Sequence, residues 1–541
     1  MAVKLTYLVS VMLFLNFPVN KCGVIEKDFY RLDIIHYNDF HDRMEETSVL
    51  YPVCNTNNTE CVGGFARLYK EIKTLLKEKP EALLLNAGDN YQGTYWYTLL
   101  KWKLLQKLLN MLPHDAYTLG NHEFDDGVNG LAPFLAGLKA PVVAANLDVS
   151  KEPTLGELLK SHVILERHGR KIGIFGLVTQ ETALTSNPDH VLFLDPIKSA
   201  EREAELLTKE GVDIIILLSH CGLSIDKHIA EKVGENIDII IGGHSHSLLW
   251  NGTAPSKELV SGPYPIIIQP KSKPKHKVLI ATASAYSKYL GNITIYFDRA
   301  GELHNFEGNA VFLNRSIPED PEIKELLQPY ADDLHKIVSQ EIGVADDDFD
   351  DTPCLSKECA IGNLVADAYL NATKKLNVSS LPHVSFIFRN IIRAPIAKGV
   401  ITRGMIINAL PFSNRVTTIV LPGRYLLEML KKCYTFYRGK KPFQSPWMPQ
   451  VAGLRLILNP SKEEVSVLVQ HDDGYRPLHL DEDYQVTSLD FIIRDLNGSE
   501  MLEKNHRGPF YIGKDSEVLM EYIKTMKQLK VTLDNRITVL K

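Results

Sequence analysis

No block of five or more basic residues occurs in this chain of 541, and 60 Lys and Arg against 66 Asp and Glu leave a formal charge of −6. That balance excludes the basic stripe a nucleic-acid binder would carry. Long apolar runs are missing beyond the N-terminus: no later stretch reaches the roughly 18 apolar residues a membrane helix needs. The closing segment DNRITVLK carries neither the spacer nor the hydrophobic tail of a lipid-anchor signal. Internal repeats and low-complexity tracts are also absent. What remains, at 45% hydrophobic and 23% charged, has the composition of a globular protein rather than a disordered one.

At the N-terminus, Lys4 forms a short positive region and Leu5 to Phe17 an apolar core of secretory length. Residues 1–22 therefore read as a signal peptide, and the expected product is soluble, secreted and extracellular. Seven cysteines agree with an oxidising compartment. Cys54 and Cys61 flank NTNNTE, Cys354 and Cys359 flank LSKE, and each pair reads as a small-loop disulfide. Cys221 and Cys433 sit in or beside apolar runs and read as buried thiols. Glycan acceptors of the form N-x-S/T begin at Asn57, Asn251, Asn292, Asn314, Asn371, Asn377 and Asn497.

From about 30 to 300, apolar runs such as LDIIHY, EALLLNAGD, KIGIFGL, VDIIILLSH and IDIIIGGHS alternate with helical patterns such as FARLYKEIKTLLKEK and LLKWKLLQKLLNML. Alternation of that kind predicts a layered α/β domain with strands buried on both faces. We expect this domain over 23–317, a charged helical connector over 318–339 and a second mixed α/β domain over 340–541. The aspartates Asp346, Asp347, Asp348, Asp350 and Asp351 lack the alternating ligands and distal Glu of a calcium loop, so they read as a solvated linker.

Five short motifs fall where buried strands should end: Asn38 to Arg43, Gly88-Asp89, Gly120 to Glu123, Ser219-His220, and Gly242 to His246. Ligands of open α/β sheets gather beyond the carboxyl ends of strands, so these loops can converge. Asp39-x-His41 and His244-x-His246 are expected to send both side chains to one side of an extended segment. Asp89, next to a glycine, is free to bridge two cations. Carboxylate, imidazole and amide oxygen together suit zinc, manganese or iron-type divalent ions.

With GGFARL at Gly63 to Leu68, AGDNYQGT at Ala87 to Thr94 and GNHEFDDG at Gly120 to Gly127, the chain resembles the 5′-nucleotidase and apyrase family of calcineurin-type metallophosphoesterases. By that resemblance it takes a metallophosphoesterase domain followed by a 5′-nucleotidase-type substrate-binding domain. Two divalent ions are implied, with zinc foremost and manganese, calcium or magnesium as alternatives. Asp39, His41, Asp89 and His246 would hold one; Asp89, Asn121, His220 and His244 would hold the other. Relatives often carry an amide in place of His246. His122, oriented by Asp125, would stabilise transition-state charge or protonate the leaving group, and Arg43 would contact phosphate or brace the metal loop.

The resemblance also implies a nucleoside clamp, and here the pattern departs. Phe412 in ALPFSN and Phe491 in SLDFIIRDLNG match two base-stacking positions, and Arg393 matches a family arginine. The family's N-G-G-G-I-R loop is Phe388-Arg389-Asn390-Ile391-Ile392-Arg393, so three glycines have become larger residues that obstruct close backbone approach. The arginine usual after the first cysteine of the second pair is Leu355, and the G-G-D-G turn is Asp495-Leu496-Asn497-Gly498, in which Asn497 would face the ribose. The resulting expectation is a secreted hydrolase of extracellular ATP, ADP or AMP that lowers ADP and so inhibits platelet aggregation. The alternative is a nucleotidase-fold binding protein or receptor antagonist with weak turnover.

Overall fold

The computed structural model describes residues 29–49, 54, 61–435, 439, 442–494 and 507–540. The expected signal peptide, Asn57 and Asn497 lie outside the described residues. Among those described, no helix is long and apolar enough to cross a membrane.

The N-terminal half is two sheets packed face to face. Strands β1 (Tyr30–Tyr37), β2 (Leu83–Asn86) and β3 (Ala116–Thr118) run parallel in the middle of a seven-stranded sheet. Strands β4 (Ile214–His220) and β5 (Ile239–Gly242) are parallel neighbours in a six-stranded one. Side chains alternate along β1 and β2. Ile34, Leu83 and Leu85 face the second sheet and meet Ile174, Ile216 and Leu218. Ile35 and Leu84 face outward onto Phe65, Leu68 and Leu105 of the covering helices. Both faces are therefore buried, which is why these strands read as unbroken apolar runs.

One predicted helix is broken. LLKWKLLQKLLNML spans Tyr95–Leu100 and Trp102–Leu109, with Lys101 between them in a left-handed conformation at φ 57° and its Nζ 2.8 Å from Asp126. The connector is the helix Pro321–Val338, started by Pro321 and capped by Asp320, whose side chain accepts the N–H groups of Glu322 and Ile323. Its Ile323, Leu327 and Leu334 join the outer core of the first domain, so it is packed rather than free.

The second domain holds a five-stranded sheet in the order Pro449–Ala452, His383–Phe388, Asp483–Leu489, Arg415–Pro422, Arg507–Lys514, around its own core. Cys54–Cys61 and Cys354–Cys359 form disulfides, and Cys221 and Cys433 are buried thiols. The aspartate run differs from the expected solvated linker. Asp346 accepts from Gln528 and Asp348 from the Lys398 N–H, while Asp351 is buried against Arg389 at 2.8 Å. A cation from the substituted FRNIIR turn draws Asp351 inward.

Candidate active site

The five motifs meet at the carboxyl ends of both sheets. Pairing aligns Tyr37 with Asn86 and Asn86 with Tyr117 in the first sheet, and Ser219 with Gly242 in the second, so the loops that follow start at one level. The first sheet supplies Asp39, His41, Asp89, Asn121 and His122, and the second supplies His220, His244 and His246. Hydrogen bonds stitch the two sets together. The Asp39 carboxylate accepts the His244 N–H at 3.1 and 3.0 Å, and the His220 ring donates to Ala87 O at 2.7 Å.

The expected strand alternation is not what makes the side chains converge. Asp39 and His41 both have φ 49°, Asp89 has φ 55°, and His244 and His246 have φ 70° and 49°. Each side chain leaves a left-handed turn rather than an extended segment. Such backbone is costly for a non-glycine residue, and its clustering marks a functional site. Glycine admits the close approaches this requires: a Cβ on Gly120 would lie 2.0 Å from Asp89 Oδ1, and one on Gly243 would lie 2.7 Å from Ala87 O.

Three sets of donor atoms lie within 4.8 Å of one another: Asp39, His41 and His246; Asp89, His220 and His244; and His41, Asp89 and His122. Their chemistry fits cations. His220 Nδ1 donates to a carbonyl, which leaves its Nε2 facing Asp89 Oδ2 at 3.0 Å and Asp39 Oδ1 at 3.8 Å. Burial opposes a charge there, but the two carboxylates outweigh it and push the ring up to about 10, so positive charge is drawn to that spot. His41 Nδ1 lies 3.2 Å from Tyr91 O, and its Nε2 stands 3.2 Å from that of His246. Asn121 Oδ1 is buried without a hydrogen-bond partner. Two buried carboxylates crowded among imidazole nitrogens call for positive charge between them, and outer ring N–H groups tied to carbonyls are the usual support of metal-binding histidines. The local field agrees. Burial would raise both carboxyls, but His246 and His220 at Asp39, and His220 and His122 at Asp89, outweigh it and hold both below the ordinary range.

His122 stands beside this cluster. Its Nδ1 is 2.7 Å from Asp125 Oδ2, and its backbone N–H donates to Asp89 Oδ1 at 2.9 Å. Burial alone would lower the imidazole; Asp125 and Asp89 outweigh it and raise the pKa above the ordinary value. Asp125 also interacts with Ser186, whose hydroxyl donates to Asn121 O at 2.7 Å.

The opposite wall of the same cleft, a cavity of about 720 Å³, comes from the second domain and includes Asn390, Arg393, Phe412, Trp447 and Phe491. Phe412 stacks on His122 with ring centres 5.0 Å apart and 5° between planes, and the Arg393 guanidinium lies 4.9 Å from the Phe412 centroid. The substituted loop forms a single turn over Arg389–Ile391, held by Asn390 N–H to Pro446 O at 2.8 Å and Arg389 N–H to Met448 O at 3.0 Å. Leu355 O accepts the Ser445 N–H at 2.8 Å, which ties the cysteine loop to the same edge.

Three residues were not singled out from sequence. Glu123 lies under the Asp89 loop and accepts its backbone N–H groups. Tyr286 packs against His41 and His246, with the buried Arg43 guanidinium 4.4 Å from its ring centroid. Arg43 thus packs against the ring that backs His41 and His246. Glu181 Oε2 is 3.7 Å from His244 Nε2. Glu123 sits inside GNHEFDDG, where its motif was a usable signal; Tyr286 and Glu181 come from loops with no local signature.

Fold and site together define a two-domain phosphoester hydrolase. Residues 32–248 match the calcineurin-like phosphoesterase family profile, and 341–504 match that of the 5′-nucleotidase C-terminal domain. An apyrase of Tabanus yao is 39% identical over 526 residues, covering 94% of each chain. A 5′-nucleotidase of Homo sapiens is 34% identical, covering 94% of this chain and 91% of that one. The crystal structure of a 5′-nucleotidase precursor from Thermus thermophilus superposes with TM-score 0.83 at 32% identity, over 94% of this chain and 99% of that chain. The chain belongs to the 5′-nucleotidase and apyrase family of calcineurin-like phosphoesterases.

Proposed function

We propose that the protein is a secreted, divalent-metal-dependent hydrolase of extracellular nucleotides that releases orthophosphate from ATP, ADP or AMP. The observation that carries this reading is the cleft in which Asp89, Asn121, His244, His246 and the His122–Asp125 pair face Arg393, Phe412 and Phe491 of the second domain, with Asp39, His41 and His220 buried behind them. The relatives named apyrase and 5′-nucleotidase support a nucleotide as the substrate. Asp39, His41, Asp89 and His246 hold one cation in this reading, and Asp89, Asn121, His220 and His244 the other, with Asp89 shared. Two such cations would polarise the phosphoryl group and lower the pKa of a bound water.

The chain's own residues do the rest. His122, fixed by Asp125, faces the phosphoryl group and gives a proton to the leaving oxygen or offsets charge developing on the phosphoryl oxygens. Arg393 adds a second positive charge from across the cleft, and Phe412 and Phe491 flank the nucleoside. Lowering ADP outside cells would restrain platelet aggregation, the physiological role we assign.

Phosphate release from ATP, ADP and AMP tests this, run with added divalent metal, with a chelator and with His122→Ala. Chelator-sensitive release that falls in the variant is expected, and the substrate order separates apyrase from 5′-nucleotidase activity. No release from any nucleotide by the metal-loaded protein would overturn the reading.

A further inference from the structure

Donating its Nδ1–H to Asp125 fixes one nitrogen of His122 but leaves the ring free to turn about the Nδ1···Oδ2 line. Two other rings restrict that turn. His41 meets His122 edge-on at 5.3 Å, with planes 69° apart, and Phe412 lies flat on it at 5.0 Å and 5°. Both distances fall in the range where aromatic pairs attract, and a parallel offset pair defines a plane in a way a single hydrogen bond does not. His41 belongs to the same domain as His122, whereas Phe412 belongs to the other.

The segment that carries Phe412 is held from both sides of the cleft. Thr98 of the first domain donates its hydroxyl to Pro411 O at 3.0 Å. Ser413, directly after Phe412, is left-handed at φ 53°, so the chain turns sharply there. Asn414 donates its side-chain amide to Asp515 at 3.0 Å, and the Asp515 N–H returns to Asn414 O at 2.9 Å. The segment is thus anchored on one side of Phe412 to the first domain and on the other to the second domain's framework.

We propose that Phe412 is a positioning residue for His122, delivered across the domain interface, so that the imidazole is set for proton transfer only while the second domain is closed against the first. The duty is separate from flanking a base, because it is owed to an imidazole of the protein. It rests on the assignment of His122 made above.

A double-mutant cycle on AMP hydrolysis tests it, with Phe412→Leu, His122→Ala and the pair together, and with ribose 5-phosphate as a substrate that has no base. Losing the stack should lower kcat for AMP by about 10- to 100-fold while KM changes far less. The two losses should not add, since a ring that is gone needs no positioning. Ribose 5-phosphate turnover should fall in parallel, and Phe412→Tyr, which keeps the ring, should restore kcat. Should Phe412→Leu fail to fold, Phe412→Met keeps apolar volume without a ring and carries the same expectation. An increase in KM for AMP at unchanged kcat, additive with His122→Ala, would overturn the proposal while leaving the role of His122 intact. If His122→Ala itself left AMP hydrolysis unaltered, the reading of His122 would fall and this inference with it.

Discussion

The Glu123 carboxylate accepts the Asp89 N–H at 3.0 Å, together with those of Asn90 at 2.6 Å, Tyr91 at 3.2 Å and Gly120 at 2.5 Å. One buried carboxylate thereby anchors both loops that meet at Asp89. Replacing Glu123 with Gln keeps the volume but turns an NH₂ group toward backbone donors, so the Asp89 loop loses part of its support. Loss of such an outer contact typically weakens metal affinity by about 10- to 100-fold. Activity measured against buffered free zinc should show the half-saturation point moving up by that factor. An unmoved midpoint would mean that Glu123 serves only folding.

His122 and Asp125 should separate in degree. Removing the imidazole by His122→Ala is expected to lower kcat by about 10²- to 10⁴-fold, the usual worth of a positioned proton donor. Asp125→Asn keeps an oxygen acceptor for the Nδ1–H and should cost less. Metal content, read by elemental analysis, should be unchanged in both, because neither residue is assigned to the cations. Equal losses in the two variants, or depleted metal in either, would contradict this division of roles.

Much of the site was legible because parallel strands buried on both faces appear as apolar runs, and these runs stop where acids and imidazoles begin, as Ile239–Gly242 does before His244 and His246. The local reason for convergence was not legible. An x-alternation in Asp39-x-His41 reads as extended backbone, whereas left-handed turns are set by tertiary contacts such as the His244 N–H on Asp39. The break at Lys101 was hidden in an unbroken helical pattern for a similar reason: its stabilising partner, Asp126, lies 25 residues away. Tyr286 and the Phe412–His122 stack join segments far apart in the chain, and no spacing rule links them.

Arg389 and Asp351 form an ion pair at 2.8 Å with both side chains largely buried. Arg389→Ala would leave the largely buried Asp351 carboxylate without its cation. Stranding a mostly buried charge should cost about 2–4 kcal/mol. Adding Asp351→Asn to Arg389→Ala removes the stranded charge, so the double variant should be more stable than the sum of the single losses implies, with a coupling of about 1–3 kcal/mol. Urea denaturation of the four proteins measures this. Simple additivity would mean the pair is only a contact of convenience.

Asp515 links this domain's stability to pH. Burial pushes its carboxyl up to about 7, although the Ser516 N–H and Asn414 partly offset the effect. In the unfolded chain the same group ionises near 3.8. Between those values the folded protein holds a proton that the unfolded chain has released, so stability declines as pH rises across that window and the loss is complete above the folded value. The slope from this one group is at most about 1.4 kcal/mol per pH unit. Asp515→Asn resembles the protonated form at every pH, so its melting temperature should fall less than the parent's between about pH 4 and 7. Because Asp515 holds Asn414, two residues from Phe412, the same substitution keeps an amide or carbonyl available for that contact and should preserve kcat. A parent whose melting temperature rises steadily through the window, in parallel with the variant, would rule out a buried proton at Asp515.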